Sequence, residues 1–173
     1  MDINEESLFL IKELAINIEK WRKSNGVSQT KLGQTARVAE STIRSIKKGI
    51  PNIEIATLVK LKLAFSVRIS DLLHEQDKIP IIITSPLSLI TIRKAIANEQ
   101  RRIGRNISKI MKEENITPEE LSIMALNTDY SDTLKYLRGE INLTLITILK
   151  FAAALDVDVW KLLDDNKEKG KQK

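Results

Sequence analysis

Apolar residues recur along most of this chain at steps of three and four, the mark of helices that bury one face. Leu8, Ile11, Leu14, Ala15, Ile18 and Trp21 trace the first stripe, predicting a helix from Ser7 to Arg22 that Asn25-Gly26 ends. At that spacing Trp21 is a core residue. Leu32 and Ala36 define a short helix opened by Ser28, whose hydroxyl can accept a free backbone N–H of the first turn. Ile43 and Ile46 define another, opening at Ala39 or Ser41 and closing at Gly49. Beyond a loop, Leu58, Leu61 and Phe65 face inward on a helix beginning near Ile55. Ser70-Asp71 opens a last short helix, and His74 after it reads as a solvated cap residue.

From Ile79 the pattern changes. The β-branched run Ile79 to Thr84 reads as a linker or a brief edge strand, Pro80 arguing against a central one. Ser85-Pro86 reads as an N-cap and first-turn proline. Leu89, Ile92, Ile96, Ile103, Ile107 and Ile110 then predict a helix reaching about Lys112, in which Gly104 costs about 1 kcal/mol relative to Ala. That stripe is core in its plain assignment. The sharper alternative is a dimer or partner seam through Leu89, Ile92, Ile96 and Ile103.

The second half repeats the first. Thr117-Pro118-Glu119-Glu120-Leu121 lies 89 residues after Ser28 to Leu32, and Gly139 lies 90 after Gly49, so one residue enters the intervening turn. Thr147 to Phe151 then matches Thr57 to Leu61, and Leu155, Val157 and Leu162-Leu163 match Phe65, Val67 and Leu72-Leu73. The expected fold class is all-α, two tandem five-helix domains joined by a linker and a connecting helix. Residues 1–13 form an N-terminal extension, 14–75 the first domain, 76–102 the linker and connecting helix, 103–165 the second domain, and 166–173 a disordered basic tail.

Charge separates the two copies. The chain carries +5 overall, but −3 over residues 1–14, +6 over 15–75, +3 over 76–102, −4 over 103–165 and +3 over 166–173. A basic first copy suits a polyanion; an acidic second copy does not. With no cysteine and one histidine, thiolate metal sites, disulfides, a cysteine nucleophile and a His-rich metal site are excluded. The acidic pairs, such as Glu119-Glu120, are adjacent in sequence and splay apart on a helix, so no catalytic residues, metal or cofactor are expected. No apolar run approaches the roughly 20 residues that span a bilayer. The acidic start shows no secretory signal, and a cytoplasmic setting is expected.

The stretch Val27 to Gly49 resembles the helix-turn-helix of the lambda-repressor/Cro (xenobiotic-response-element) family. The resemblance continues through Asn52, Thr57 to Leu61, Phe65, Val67 and Asp71-Leu72-Leu73, and so covers a whole domain from about Leu14 to Leu73. Gly33 stands where the family usually has Ala. Arg37 stands where it usually has a turn Gly, and a left-handed backbone there would cost some strain. The resemblance implies a double-stranded DNA-binding regulator, acting as a homodimeric repressor that reads the major groove with its third helix.

Residue by residue, it places Glu40, Ser41 and Ser45 where family members reach base edges, with Arg44 beside them. Arginine suits guanine O6/N7, and a carboxylate suits cytosine N4. Glu40 either meets a base amino group or pairs with Arg44 four residues on. Gln29, Thr42, Lys48 and Asn52 occupy phosphate-approaching places, and Lys31, Arg37 and Lys47 add positive field. Free N–H groups at Ile55 to Thr57 would offer a further phosphate site. In the second copy Pro118 replaces the phosphate-touching glutamine, Asp129 and Asp132 flank the would-be reading helix, and Leu134 and Leu137 intrude on its polar face. That copy reads as degenerate, suited to dimerisation or to a protein partner. The rival class is accordingly a protein-interaction module such as an antitoxin or adaptor.

Overall fold

The computed structural model describes residues 2–50, 52–125 and 128–164, and all of its regular elements are helices. The tail assigned above to 166–173 lies outside them. The first half comprises α1 (Ile3–Ser24), α2 (Gln29–Ala36), α3 (Glu40–Lys47), α4 (Ile55–Phe65) and α5 (Ile69–Leu73). The second comprises α6 (Leu89–Glu113), α7 (Pro118–Met124), α8 (Tyr130–Arg138), α9 (Leu145–Ala154) and α10 (Val159–Leu163). No helix among the described residues is long and apolar enough to cross a membrane.

Local chemistry sets most boundaries. Ser28 Oγ accepts from Lys31 N–H at 3.0 Å and opens α2. Thr117 and Glu120 form a reciprocal capping box on α7, with Pro118 in its first turn. Arg37 ends α2 in the left-handed conformation, φ 52° and ψ 46°. Two starts differ from expectation. Helix α6 opens at Ser88 rather than Ser85, and α5 opens at Arg68, whose N–H donates to Asp71 Oδ2 at 2.9 Å. Asp71 thus acts three residues inside the helix rather than at its cap. Residues 79–84 form no strand and run extended over the first half.

Helices α1 and α6 are each continuous, running through positions 13 and 102 where sequence suggested boundaries. The length of both has one purpose: α1 packs on α9 and α6 on α4, so each half covers the other's central helix. Between these crossings the segments preceding α4 and α9 pair in antiparallel fashion. Ile55 N–H donates to Leu143 O and Leu145 N–H to Ile53 O, both at 2.8 Å, which forms the Glu54–Thr144 bridge. The pairing residues lie 90 positions apart, so each half presents the same segment to the other. Asn17 Nδ2 donates to Leu72 O at 3.1 Å, and Asn106 Nδ2 to Leu162 O at 3.0 Å, repeating one buried tie between first and last helix.

This arrangement decides the seam suggested for the connecting helix. Ile103 is fully buried and Ile92 nearly so within the chain, Ile96 is half-buried against the chain's own core, and Leu89 is exposed. Ile92 and Ile103 are therefore not free to form an interface between chains. His74 also departs from its expected solvated role: its ring stacks on Trp160 of the second half at 4.0 Å between centroids.

Candidate nucleic-acid interface

Helix α3 is held from below by Ile43 and Ile46, both buried, and packs on α1 and α2. Its outer surface is what those two anchors leave exposed. Ser41, Arg44, Lys47 and Lys48 are exposed; Glu40, Thr42 and Ser45 are half-buried. Close approach of α2 to the turn before α3 explains Gly33, since an added Cβ there would lie 2.8 Å from Val38 O.

The sequence left Glu40 with two roles, and the structure places it in one. Arg44 Nη1 donates to Glu40 Oε1 at 2.8 Å, and Thr30 Oγ1 donates to Glu40 Oε2 at 3.2 Å. Glu40 therefore joins α2 to α3 and holds the guanidinium of Arg44 on the exposed face. Because Arg44 and Glu40 remain well solvated, this pair contributes only about 0.3–0.5 kcal/mol to stability; its consequence is orientation.

Behind α3 lies a polar cluster that sequence reasoning missed. Glu19, half-buried on α1, accepts from Arg22 Nη2 at 3.0 Å and from Gln29 Nε2 at 3.1 Å, and lies 3.9 Å from Lys47 Nζ. The hydrogen bond from Arg22 holds its carboxyl below the usual carboxylate range against partial burial, with Gln29 and Lys47 assisting. Gln29, at the phosphate-approaching place, is thus oriented from beneath. The Glu19–Arg22 spacing was legible on a helix, but the meeting with Gln29 and Lys47 needed the tertiary fold.

Other expected contacts fare differently. Lys31 and Asn52 are exposed, and Lys31 and Lys48 make no ion pair among the described residues. Arg37 is exposed but tied down, its Nε donating to Leu87 O of the linker at 2.6 Å. The start of α4 is not a free anion site. Ile55 N–H is used by Leu143 O, Ala56 N–H donates to Asn142 Oδ1 at 3.2 Å, and Thr57 N–H is used by Glu54 O. Contact with the second half removes that phosphate-binding option.

The matching face of α8 has another character. Lys135 pairs with Asp132 at 2.9 Å, which raises its pKa, and Arg138 pairs with Glu140 at 3.0 Å. Leu134 and Leu137 are half-buried, and Tyr136 turns inward, edge-on to Phe151 at 5.9 Å. Both basic residues of α8 are thus already matched by carboxylates, so this face offers little net positive charge to a phosphate backbone.

Residues 18–72 match the family model described as helix-turn-helix, a family of DNA-binding regulators. The match spans α2 and α3 and ends within α5. No curated protein and no solved structure matches the chain significantly.

Proposed function

We propose that this chain is a cytoplasmic, sequence-specific regulator of transcription that represses by occupying duplex DNA, with α3 laid in the major groove. The observation carrying this is the outer face of α3 and its surroundings. Lys31, Arg44, Lys47 and Lys48 are exposed around two buried isoleucine anchors, and the one carboxylate on the helix is already engaged by Arg44 and Thr30. Arg44 and Ser41 meet base edges, with Glu40 and Ser45 beside them. Gln29, Thr42, Lys47, Lys48 and Asn52 set register on phosphates.

In this reading the second half is a degenerate copy of the first. The mutual packing of α1 on α9 and α6 on α4, with the bridge between them, supports one chain standing where a homodimer was expected. Helices α3 and α8 each directly precede a pairing segment, so both flank the same pseudo-two-fold axis. Only α3 has the charge to read sequence, so the preferred site is one well-specified half-site with a weak neighbour rather than a palindrome.

One observation favours the rival reading, a partner protein bound by the second half. Ile123 is 69% exposed, Met124 47% and Tyr130 43%, beside the acidic Glu119 and Glu120. Selection of duplex DNA by the full-length protein separates the two. An enriched non-palindromic motif bound one chain per duplex, with a steep salt slope, is expected. No enrichment, with weak binding to all sequences, would instead establish the partner-binding module.

A further inference from the structure

Residues 76–88 do not merely connect the halves; they lie as a strap across α1 and α4. Lys20 Nζ donates to Gln76 O at 2.7 Å, Asn25 Nδ2 to Pro80 O at 2.9 Å, and Ile83 N–H to Ala64 O at 2.9 Å. Ile82 inserts into the core, while Ile81 on its neighbouring position is exposed. Between the strap and the first half lies a cavity of about 720 Å³, within the range of small-molecule sites. Its walls are mainly apolar, including Trp21, Phe65, Val67, Ile79 and Ile83, with Ser66, Gln76 and Lys78 also contributing. The corresponding place in the second half has Ile110 and Val157 and no apolar strap among the described residues, and its cavity is about 280 Å³.

One wall carries unused chemistry. The Trp21 ring lines the cavity edge-on to Phe65 at 5.1 Å, and its Nε1–H is buried without a hydrogen-bond partner in the protein. A buried N–H without an acceptor is costly, and an acceptor brought by a ligand removes that cost. Asp71 on the rim makes a buried anion unfavourable, which selects a neutral acceptor.

We propose that this cavity is a binding site for a neutral small molecule with an aromatic or alicyclic body and a carbonyl group that accepts from Trp21 Nε1–H. The strap ends at Leu87, whose N–H donates to Thr35 O at 3.0 Å and whose carbonyl holds Arg37. An occupant under the strap is thereby linked to the turn between α2 and α3. Any effect on DNA reading rests on the function proposed above; the binding does not.

The test is a titration of the full-length protein with N-phenylacetamide and N-(1-naphthyl)acetamide, read by the indole N–H signals of Trp21 and Trp160 in a nitrogen-correlated NMR spectrum. A Trp160→Phe variant assigns them. Saturable movement of the Trp21 signal, with Trp160 unmoved, is expected. Trp21→Phe should then weaken binding up to about tenfold, the worth of one hydrogen bond. Val67→Phe, which fills the cavity and leaves the indole in place, should abolish binding and covers the case in which Trp21→Phe does not fold. If neither amide moves the Trp21 signal saturably, or Val67→Phe leaves the movement unchanged, the site is overturned.

Discussion

Glu54 and Thr144 face each other in an antiparallel bridge, each standing directly before the helix that the other half's long first helix covers. The flanking bonds, Ile55 N–H to Leu143 O and Leu145 N–H to Ile53 O, satisfy helix-terminal donors that would otherwise need water or a ligand. Each half thus completes the other. A chain cut after Glu75 keeps the bridge-forming edge and the apolar faces of α1 and α4 but loses their cover. It is expected to pair with a second copy of itself, giving a dimer in sedimentation and a melting temperature that rises with concentration. The full chain should sediment as a monomer with one concentration-independent transition. A truncated chain that stays monomeric at full-length stability would refute the mutual-completion account.

The interface is not symmetric in chemistry. Lys62 of α4 lies 2.6 Å from Glu99 of α6, and Glu99 also binds Arg102, whose Nη2 reaches Leu163 O. The corresponding places in the other crossing hold Leu10 and Ala152, both buried. Removing one partner from a buried ionic group leaves the others uncompensated, so Glu99→Ala should lose about 3–5 kcal/mol in urea unfolding. Lys62→Met with Glu99→Leu should lose clearly less, because the mirrored site shows that the geometry accepts apolar residues. Equal losses would mean that the ionic group acts as simple packing.

Gly104 reverses an expectation drawn from helix propensity. On sequence grounds Ala would gain about 1 kcal/mol at a mid-helix glycine. In the structure an added Cβ would collide with the Leu137 carbonyl at the C-terminal end of α8, whose Tyr136 O would lie at 2.8 Å. Gly139 makes the reciprocal approach to Arg101 of α6. Gly104→Ala should therefore destabilise the chain by about 1–3 kcal/mol, the usual range for overpacking. A stabilised variant would show that α6 and α8 are not in backbone contact.

Helix order, inward residues and the caps at Ser28 and Thr117 were legible because they depend on neighbours within one turn. Arg37's left-handed conformation was legible for the same reason, as it sits where a turn glycine is usual. What escaped was everything made by distant segments. The capped start of α4 depends on Asn142, Arg37's restraint on Leu87, and the seam assigned to Ile92 and Ile103 on cover supplied by the chain itself. No periodicity within one helix tells an intrachain seam from an interchain one.

Glu19 ties stability to acidity. Its carboxyl is held below its ordinary value of 4.5 by the Arg22 hydrogen bond, so the unfolded chain binds this proton more readily than the folded one. Its contribution is complete above pH 4.5 and is lost as pH falls through the folded value. Urea unfolding should show Glu19→Gln less stable than the parent at neutral pH, with the difference shrinking below pH 4.5. A difference constant from pH 7 to pH 3 would assign the effect to packing.

The Glu40–Arg44 pair gives the sharpest test of DNA reading, because the two side chains should fail in opposite ways. Arg44 offers a fork of donors to a base edge, so Arg44→Ala should relax preference at one base pair, by about 1–3 kcal/mol, while binding to unrelated duplexes falls only slightly. Glu40 repels phosphates but restrains Arg44 at 2.8 Å. Glu40→Ala should therefore tighten binding to unrelated DNA and flatten discrimination at the same base pair. Lys135→Ala with Arg138→Ala, on the face whose charges are already paired, should change neither quantity. Competition binding at two salt concentrations separates these terms, since phosphate contacts alter the salt slope and base contacts do not. Uniform weakening by Arg44→Ala on all sequences would reduce it to a phosphate contact. A large loss from the α8 pair would give the second half a share in the DNA.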